Sequence, residues 1–197
     1  MTVRVMLVSP AMNAALREAR FEGDGPLDAT GARQARAAAN TLSPAARCVS
    51  APSLRCRETA EALGLGLGLR AEPEPALGDW DMGRWRGRRL TEVSESEPEA
   101  VSAWLTDPSA APHGGESLTA LCARVGGWLE SLPGDTESLL TVTEPAVIRA
   151  SMVRALGLPV EVFWRLDVAP LTLTELTGRA GRWNLRCGRP LGRAGGE

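Results

Sequence analysis

Residues 47–63 read RCVSAPSLRCRETAEAL, and this stretch decides the fold. Arg47–Ser50 is short and apolar enough to be a buried strand. Ser53 is a candidate N-cap, and the residues that follow have helical spacing, with Ala60 and Leu63 on the inward face. A strand that passes directly into a helix is the repeating unit of α/β proteins, so the stretch predicts a parallel sheet covered by helices.

The same alternation extends to both ends of the chain. Further strands are predicted at Val3–Val8, Leu67–Ala71 and Ser138–Thr143, and an antiparallel closing pair at Leu171–Leu176 and Arg182–Arg186. Further helices are predicted at Thr30–Leu42 with Thr30 as N-cap, at Ser117–Leu132, and at Ala146–Leu156 before Gly157 and Pro159. The pattern predicts an α/β protein, a three-layer α/β/α sandwich with a mostly parallel central sheet.

This sandwich is expected to form one domain over residues 1–191. The segment at about 72–112, rich in proline, tryptophan and charge, is expected to be a lid insertion, and residues 192–197 a disordered tail. Ligands of such sheets bind beyond the carboxyl ends of the strands. The loops after Val8, Ser50, Leu77 and Thr143 are therefore the candidate site.

Composition excludes several classes of protein. The 197 residues are 44% hydrophobic, and 22 basic against 24 acidic residues give a net charge of -2, which predicts neither a nucleic-acid binder nor a binder of anionic membranes. The basic residues are all arginine, which indicates a GC-rich bacterial genome. The apolar start MTVRVMLVSP is too short for a signal peptide or a membrane span, so a cytoplasmic protein is expected.

The four cysteines have no metal-ligand spacing. Buried, reduced thiols, no metal and no cofactor are therefore expected. They are Cys48, Cys56, Cys122 and Cys187.

Five segments resemble motifs of the histidine phosphatase, or phosphoglycerate-mutase-like, superfamily, in that family's order. They are residues 19–35 (ARFEGDGPLDATGARQA), 50–64 (SAPSLRCRETAEALG), 77–87 (LGDWDMGRWRG), 112–117 (PHGGES) and 139–159 (LLTVTEPAVIRASMVRALGLP). The resemblance implies the phosphoglycerate-mutase-like sandwich. It also implies that Arg55 takes the position of a phosphate-binding arginine and Asp79 that of the general acid.

Two motifs depart from the family pattern. Where the family has Arg-His-Gly after the first strand, this chain has Ser9, Pro10 and Ala11; where the family has His-Gly-Gly after a later strand, residues 144–146 are Glu-Pro-Ala. The resemblance implies a mechanism in which the first histidine attacks phosphorus. Pro10 has no nucleophilic lone pair, and Ser9 offers one hydroxyl in place of a guanidinium. A carboxylate about 4 Å from phosphate would cost about 4 kcal/mol at an effective dielectric constant near 20.

These departures predict a pseudoenzyme that is inactive as a phosphatase and binds a small molecule or a partner protein. A cytosolic homodimer is compatible with the resemblance, since many members of the family are dimers. The expected pocket consists of Ser9, Pro10, Asn13, Arg55, Asp79, His113 and Glu144.

Two other interpretations of the pocket remain open. Asp79 and Glu144 would be an acid–base pair of an enzyme of another class, or Glu144 would pair with Arg55 and fill the vacated anion site. His113, which is the only histidine, would be a displaced nucleophile of a residual phosphomonoesterase or mutase, or simply a histidine of a surface loop. Trp80, Trp85 and Trp104 would stack on a ligand or anchor the lid to the core.

Overall fold

The computed structural model of the chain describes residues 2–21, 24–133, 138–179 and 181–192. Its strands are β1 (Val3–Val8), β2 (Arg47–Ser50), β3 (Ala71–Pro73), β4 (Ser138–Val142), β5 (Thr172–Arg179) and β6 (Arg182–Pro190). Its α-helices are α1 (Ala14–Arg17), α2 (Ala29–Ala38), α3 (Leu54–Leu67), α4 (Leu90–Ser96), α5 (Pro98–Thr106), α6 (Leu118–Ser131) and α7 (Pro145–Leu156). Residues 193–197 of the expected disordered tail lie outside the described residues.

One sheet with the strand order β3-β2-β4-β1-β5-β6 runs through the molecule. The first four strands in this order are parallel, and β5 and β6 are antiparallel to their neighbours. Val5 illustrates the register at the centre, where it pairs with Leu139 of β4 and Leu176 of β5 and is fully buried. Helices α2 and α3 pack together, as do α6 and α7. The predicted fold class, including the closing antiparallel pair, is confirmed.

Several predicted boundaries were wrong. Helix α2 begins after Asp28, not Thr30, because the Asp28 side chain accepts a hydrogen bond from the Gly31 N–H at 2.7 Å. The strand predicted at Leu67–Ala71 begins only at Ala71, since α3 continues to Leu67. The helix continues because its glycines allow close packing: a Cβ on Gly66 would lie 2.5 Å from the Cβ of Ala39. This packing outweighs a helix penalty of about 1 kcal/mol per glycine.

The segment 72–112 lies beside the carboxyl ends of the parallel strands. The Thr143 hydroxyl, just after β4, donates to the Leu77 carbonyl at 2.8 Å and so fixes the start of this segment. Gly115 passes so close to the backbone at Asp81 that a Cβ there would lie 2.0 Å from the Asp81 oxygen. The start of the segment is therefore fixed to the end of β4, and the chain just after the segment packs closely against its first part.

Two further expectations concern the surface. Within the described ranges, no helix has the length and apolarity that crossing a membrane requires. The four cysteines are free thiols, and three of them are buried, but the expectation of burial was wrong for Cys187, which is exposed on the edge strand β6.

Candidate functional site

The carboxyl end of β1 leads into a fully buried turn at residues 9–11. The Ser9 hydroxyl donates to the Ala169 carbonyl at 2.6 Å and accepts the Thr172 N–H at 3.0 Å. The Ser9 N–H also donates to the Thr172 carbonyl at 3.2 Å. Ser9 thus ties the end of β1 to β5, and its hydroxyl is engaged in structural hydrogen bonds.

Pro10 and Asn13 complete this turn. Pro10 is buried and brings neither an N–H nor a side-chain polar atom. Asn13 is also buried and caps α1, since its Oδ1 accepts the Leu16 N–H at 2.9 Å. The loop that follows β1 therefore presents no cationic side chain at residues 9–13.

Arg55 and Glu144 form a buried ion pair between the ends of the neighbouring strands β2 and β4. Arg55 Nε donates to Glu144 Oε1 at 3.0 Å, and Arg55 Nη2 contacts Glu144 Oε2, so the pair is bidentate. Arg55 is 4% exposed and Glu144 is 0% exposed. This geometry is the one expected if Glu144 pairs with Arg55. The Glu144 carboxylate binds the Arg55 guanidinium as an external anion would.

Two more groups, the Ser53 hydroxyl and the Cys56 thiol, contact the Glu144 carboxylate. The Ser53 hydroxyl donates to Oε1 at 2.8 Å, and the Cys56 thiol lies 3.3 Å from the same oxygen. Burial, together with the nearby Glu144 charge, raises the pKa of the Cys56 thiol, which therefore stays protonated and can donate. The carboxylate is thus held by charge and by hydrogen bonds from the first turn of α3.

Local sequence explains why these groups meet. Glu144 is the N-cap of α7, where the positive end of the helix dipole favours a negative charge, and Pro145 occupies the first helical position. Ser53 is the N-cap residue of α3 as predicted, but its hydroxyl binds Glu144 and makes no capping bond. Because β2 and β4 are adjacent and parallel, the two helices that follow them begin side by side.

Among the residues that the structure describes, two cavities open beside this ion pair and share Asp79, Trp80 and Met82 in their walls. One has a volume of about 300 Å³ and extends toward Ser53 and Arg86. The other, of about 190 Å³, reaches the ion pair and has walls of polar and aromatic residues. Its lining includes Arg20, Phe21, Arg55, Asp79, Trp80, Trp104, Glu144, Arg149, Phe163 and Trp164.

Asp79 and Glu144 both line the smaller cavity, but their environments differ. Asp79 is partly exposed, and its Oδ1 accepts the Trp80 N–H at 2.8 Å. Glu144 is fully buried against its partners from α3. The structure therefore brings the two carboxylates of the acid–base hypothesis to one cavity, with one of them already bound to a guanidinium.

His113 is packed against Trp85 and lines neither of these two cavities. Its Nδ1 accepts the Gly115 N–H at 3.0 Å, and its ring centroid lies 5.1 Å from that of Trp85. It is 1% exposed, and burial lowers its pKa. The imidazole is a buried packing group rather than a histidine of a surface loop.

Part of the lining of the smaller cavity was not predicted from the sequence. Arg149 lies on the second turn of α7, and Phe163 and Trp164 belong to a short 3-10 helix, Val160–Arg165. Trp164 packs edge-on against Trp104, with ring centroids 4.7 Å apart. The position of these residues follows from long-range packing, which the sequence does not show directly. The adjacent aromatic residues Phe163 and Trp164, which follow a predicted helix, were the visible signal.

Comparison with known proteins identifies the family. The model of the histidine phosphatase superfamily (branch 1) matches residues 11–188, which is most of the chain. The chain therefore belongs to the histidine phosphatase superfamily, in agreement with the six-stranded sheet and the position of its site.

One curated relative and one solved structure are phosphatases by name. Phosphoserine phosphatase 1 of Hydrogenobacter thermophilus is 30% identical, over 82% of this chain and 80% of that protein. A bifunctional protein of Mycobacterium tuberculosis is also 30% identical, but the match covers 87% of this chain and 50% of the relative, so the chain spans about half the length of that protein. The solved structure of a mycobacterial glucosyl-3-phosphoglycerate phosphatase superimposes with a TM-score of 0.82 at 27% identity, over 96% of this chain and 100% of that one.

Proposed function

We propose that this chain is a pseudoenzyme of the histidine phosphatase superfamily, without a phosphohistidine nucleophile, that uses its cleft to bind a small molecule or a partner. The observation that carries the proposal is the buried pair of Arg55 and Glu144. In this proposal Glu144 stands at the position of a family histidine and occupies the arginine that would otherwise bind phosphate.

Electrostatics supports this interpretation. A phosphate that approached Arg55 would have to displace or lie beside the Glu144 carboxylate, and each contact between like charges about 4 Å apart costs about 4 kcal/mol at a dielectric constant near 20. The carboxylate is also held by Ser53 and Cys56, so its displacement breaks more than one hydrogen bond. The intramolecular anion therefore competes with any external one.

The missing nucleophile supports it independently. Pro10 carries no lone pair that can attack phosphorus, and Ser9 uses its hydroxyl to hold β5. His113 is buried under Trp85 and lines neither cavity beside Arg55, which argues against a displaced nucleophile. The proposed chemistry is binding, without a phosphoenzyme.

One observation favours a second candidate, an acid–base catalyst of another class. Asp79 and Glu144 line the same cavity, as two carboxylates of such an enzyme would. Glu144, however, is bound to Arg55 and has no exposed surface, so only Asp79 is accessible for proton transfer. This candidate predicts an activity that Asp79→Asn abolishes.

A turnover assay tests the main proposal. Purified protein is assayed with p-nitrophenyl phosphate and with phosphoserine, the latter because a relative is named for it. We expect no hydrolysis above background, and no difference between the wild type and Arg55→Ala. Robust hydrolysis that disappears in Arg55→Ala would overturn the proposal.

A reconstruction provides the positive control. The combined variant Ser9→Arg, Pro10→His, Ala11→Gly and Glu144→His returns a nucleophile, a guanidinium and a second imidazole to the strand ends. We expect this variant to gain phosphatase activity, and to leave acid-labile phosphohistidine after rapid quenching. The same variant with Pro10 retained lacks the nucleophile and should remain inactive.

A further inference from the structure

Several aromatic side chains line the smaller cavity. Trp80, Trp104 and Trp164 contact one another with ring centroids 4.7–5.8 Å apart, and Phe163 packs against Trp80 and Trp164. Trp164 is only partly buried, so ring surface remains available inside the cavity. Such walls favour a flat, apolar body that stacks on them or meets them edge-on.

A cation lies among these rings. The Arg149 guanidinium is 5.7 Å from the Phe163 ring centroid, and its Nε is buried without a hydrogen-bond partner. Arg149 takes part in none of the ion pairs or hydrogen bonds found in the described part of the chain. Arg149 is half-buried; this burial lowers its pKa and the charge of Asp167 opposes the effect, so the guanidinium is partly desolvated. A desolvated guanidinium gains most from a carboxylate or phosphate that binds it in bidentate fashion.

Neighbouring charges select among anions. Arg55 is paired with Glu144, and Arg20 shares the Glu18 carboxylate with Arg89, whereas Arg149 faces the cavity, which Asp79 also lines, without an ion pair among the described residues. The Asp79 carboxylate would repel a phosphate dianion more strongly than a singly charged carboxylate. The volume of about 190 Å³ is below the usual range of ligand pockets and suits a molecule of one or two rings.

We propose that this cavity binds a small planar aromatic carboxylate, with its carboxylate on Arg149 and its ring against Trp80, Trp104 and Trp164. The proposal rests on the proposed function in one respect, namely that the cleft serves binding. It assigns recognition of the ligand to Arg149 and not to Arg55, where phosphate ester hydrolysis would need its phosphate-binding arginine. Arg149 is a binding residue in this proposal.

Titration with benzoate, followed by tryptophan fluorescence and calorimetry, tests the proposal. Benzoate should bind at millimolar or lower concentration and change the fluorescence of the ring cluster. Benzamide has the same shape without the charge and should bind at least 10-fold more weakly, as should cyclohexanecarboxylate, which has the charge without the flat ring. Phenyl phosphate should also bind more weakly than benzoate.

Variants of α7 locate the site. Arg149→Gln should weaken benzoate binding at least 10-fold and leave the affinity for benzamide unchanged, which also shows that the cavity is intact. The matched control is Arg154→Gln, which removes an arginine from the same helix. Arg154 is exposed, and its ion pair with Glu130 is long, at 3.7 Å. Trp164→Leu should weaken both ligands.

Three outcomes would overturn the proposal. They are the absence of benzoate binding at 10 mM (about the weakest affinity worth calling a site), equal affinities for benzoate and benzamide, and equal losses in Arg149→Gln and Arg154→Gln. Turnover of phenyl phosphate, measured in the same samples, reports on the pseudoenzyme proposal separately. Hydrolysis that depends on Arg55 would refute that proposal. The benzoate proposal would still be tested separately, by the effect of Arg149→Gln on benzoate binding.

Discussion

Arg55 and Glu144 make a bidentate ion pair between the first residues of two neighbouring helices, with Nε 3.0 Å from Oε1 and both side chains excluded from solvent. The pair joins the ends of β2 and β4 across the place where members of this fold class bind their ligands. It therefore has two consequences, one for the stability of the chain and one for the anions that the cleft can accept.

Removing one partner of this pair should be strongly destabilising. Glu144→Gln leaves the Arg55 charge buried and uncompensated, so the free energy of unfolding should fall by about 3–5 kcal/mol in urea denaturation. The exposed pair of Arg47 and Glu72 is the control, and Glu72→Gln should cost less than about 1 kcal/mol. Similar small losses at both sites would contradict the buried geometry.

Replacing both partners together should be far milder than replacing one. Arg55→Met combined with Glu144→Leu removes both charges, so the double variant should recover most of the stability that Glu144→Gln loses. Double-mutant analysis of urea unfolding measures the coupling. A strictly additive loss would show that the two side chains do not depend on each other.

The Ser9 hydroxyl should matter for stability. Ser9→Ala removes an acceptor for the Thr172 N–H and a donor to the Ala169 carbonyl in a buried turn, which should cost about 1–3 kcal/mol. Ser94→Ala, at an exposed position of α4, is the control and should change stability by no more than about 0.5 kcal/mol. A silent Ser9→Ala would instead point to a free hydroxyl.

His113 should make stability depend on pH in one direction. Its pKa is lowered in the fold by burial, so the unfolded chain binds the proton more readily. The contribution of the neutral imidazole to stability is complete above the unfolded pKa of about 6.5, and it is lost as pH falls below that value. Compared with His113→Asn, the wild type should lose stability between pH 7.5 and 5, by at most about 1.4 kcal/mol per pH unit for one proton. A difference between the two proteins that is independent of pH, or reversed in sign, would contradict the buried neutral ring.

Thiol reactivity should distinguish the cysteines. Burial raises the pKa of Cys48 and of Cys122 to about 11, and raises that of Cys56, whereas Cys187 is exposed. In the native protein one thiol should react rapidly with Ellman's reagent at pH 8, and Cys187→Ser should abolish that phase. Rapid labelling of two or more thiols would show that the core opens readily.

Sequence patterns predicted the sheet well and the cleft incompletely. The apolar runs of β1 and β4 were visible because a strand buried on both faces has a local signature, and Arg55 was visible from the motif at the start of α3. The Arg149 side of the cavity was not visible, since helical periodicity does not tell which residues from elsewhere in the chain lie opposite a given turn of α7. Likewise, His113 read as a loop histidine because its burial depends on Trp85, a residue 28 positions away.

Phosphate-dependent thermal stability tests most directly whether Glu144 fills the anion position. Unfolding temperatures are measured for the wild type and Glu144→Ala over increasing inorganic phosphate, with sodium chloride at matched ionic strength as the control. Both proteins keep Arg149, so the difference between them reports on the site at Arg55. The wild type should show no specific increase, whereas the variant should gain roughly 5–10 °C at phosphate concentrations near 100 times Kd. An increase of the same size in the wild type, lost in Arg55→Ala, would show that phosphate binds beside Glu144 and would contradict the account.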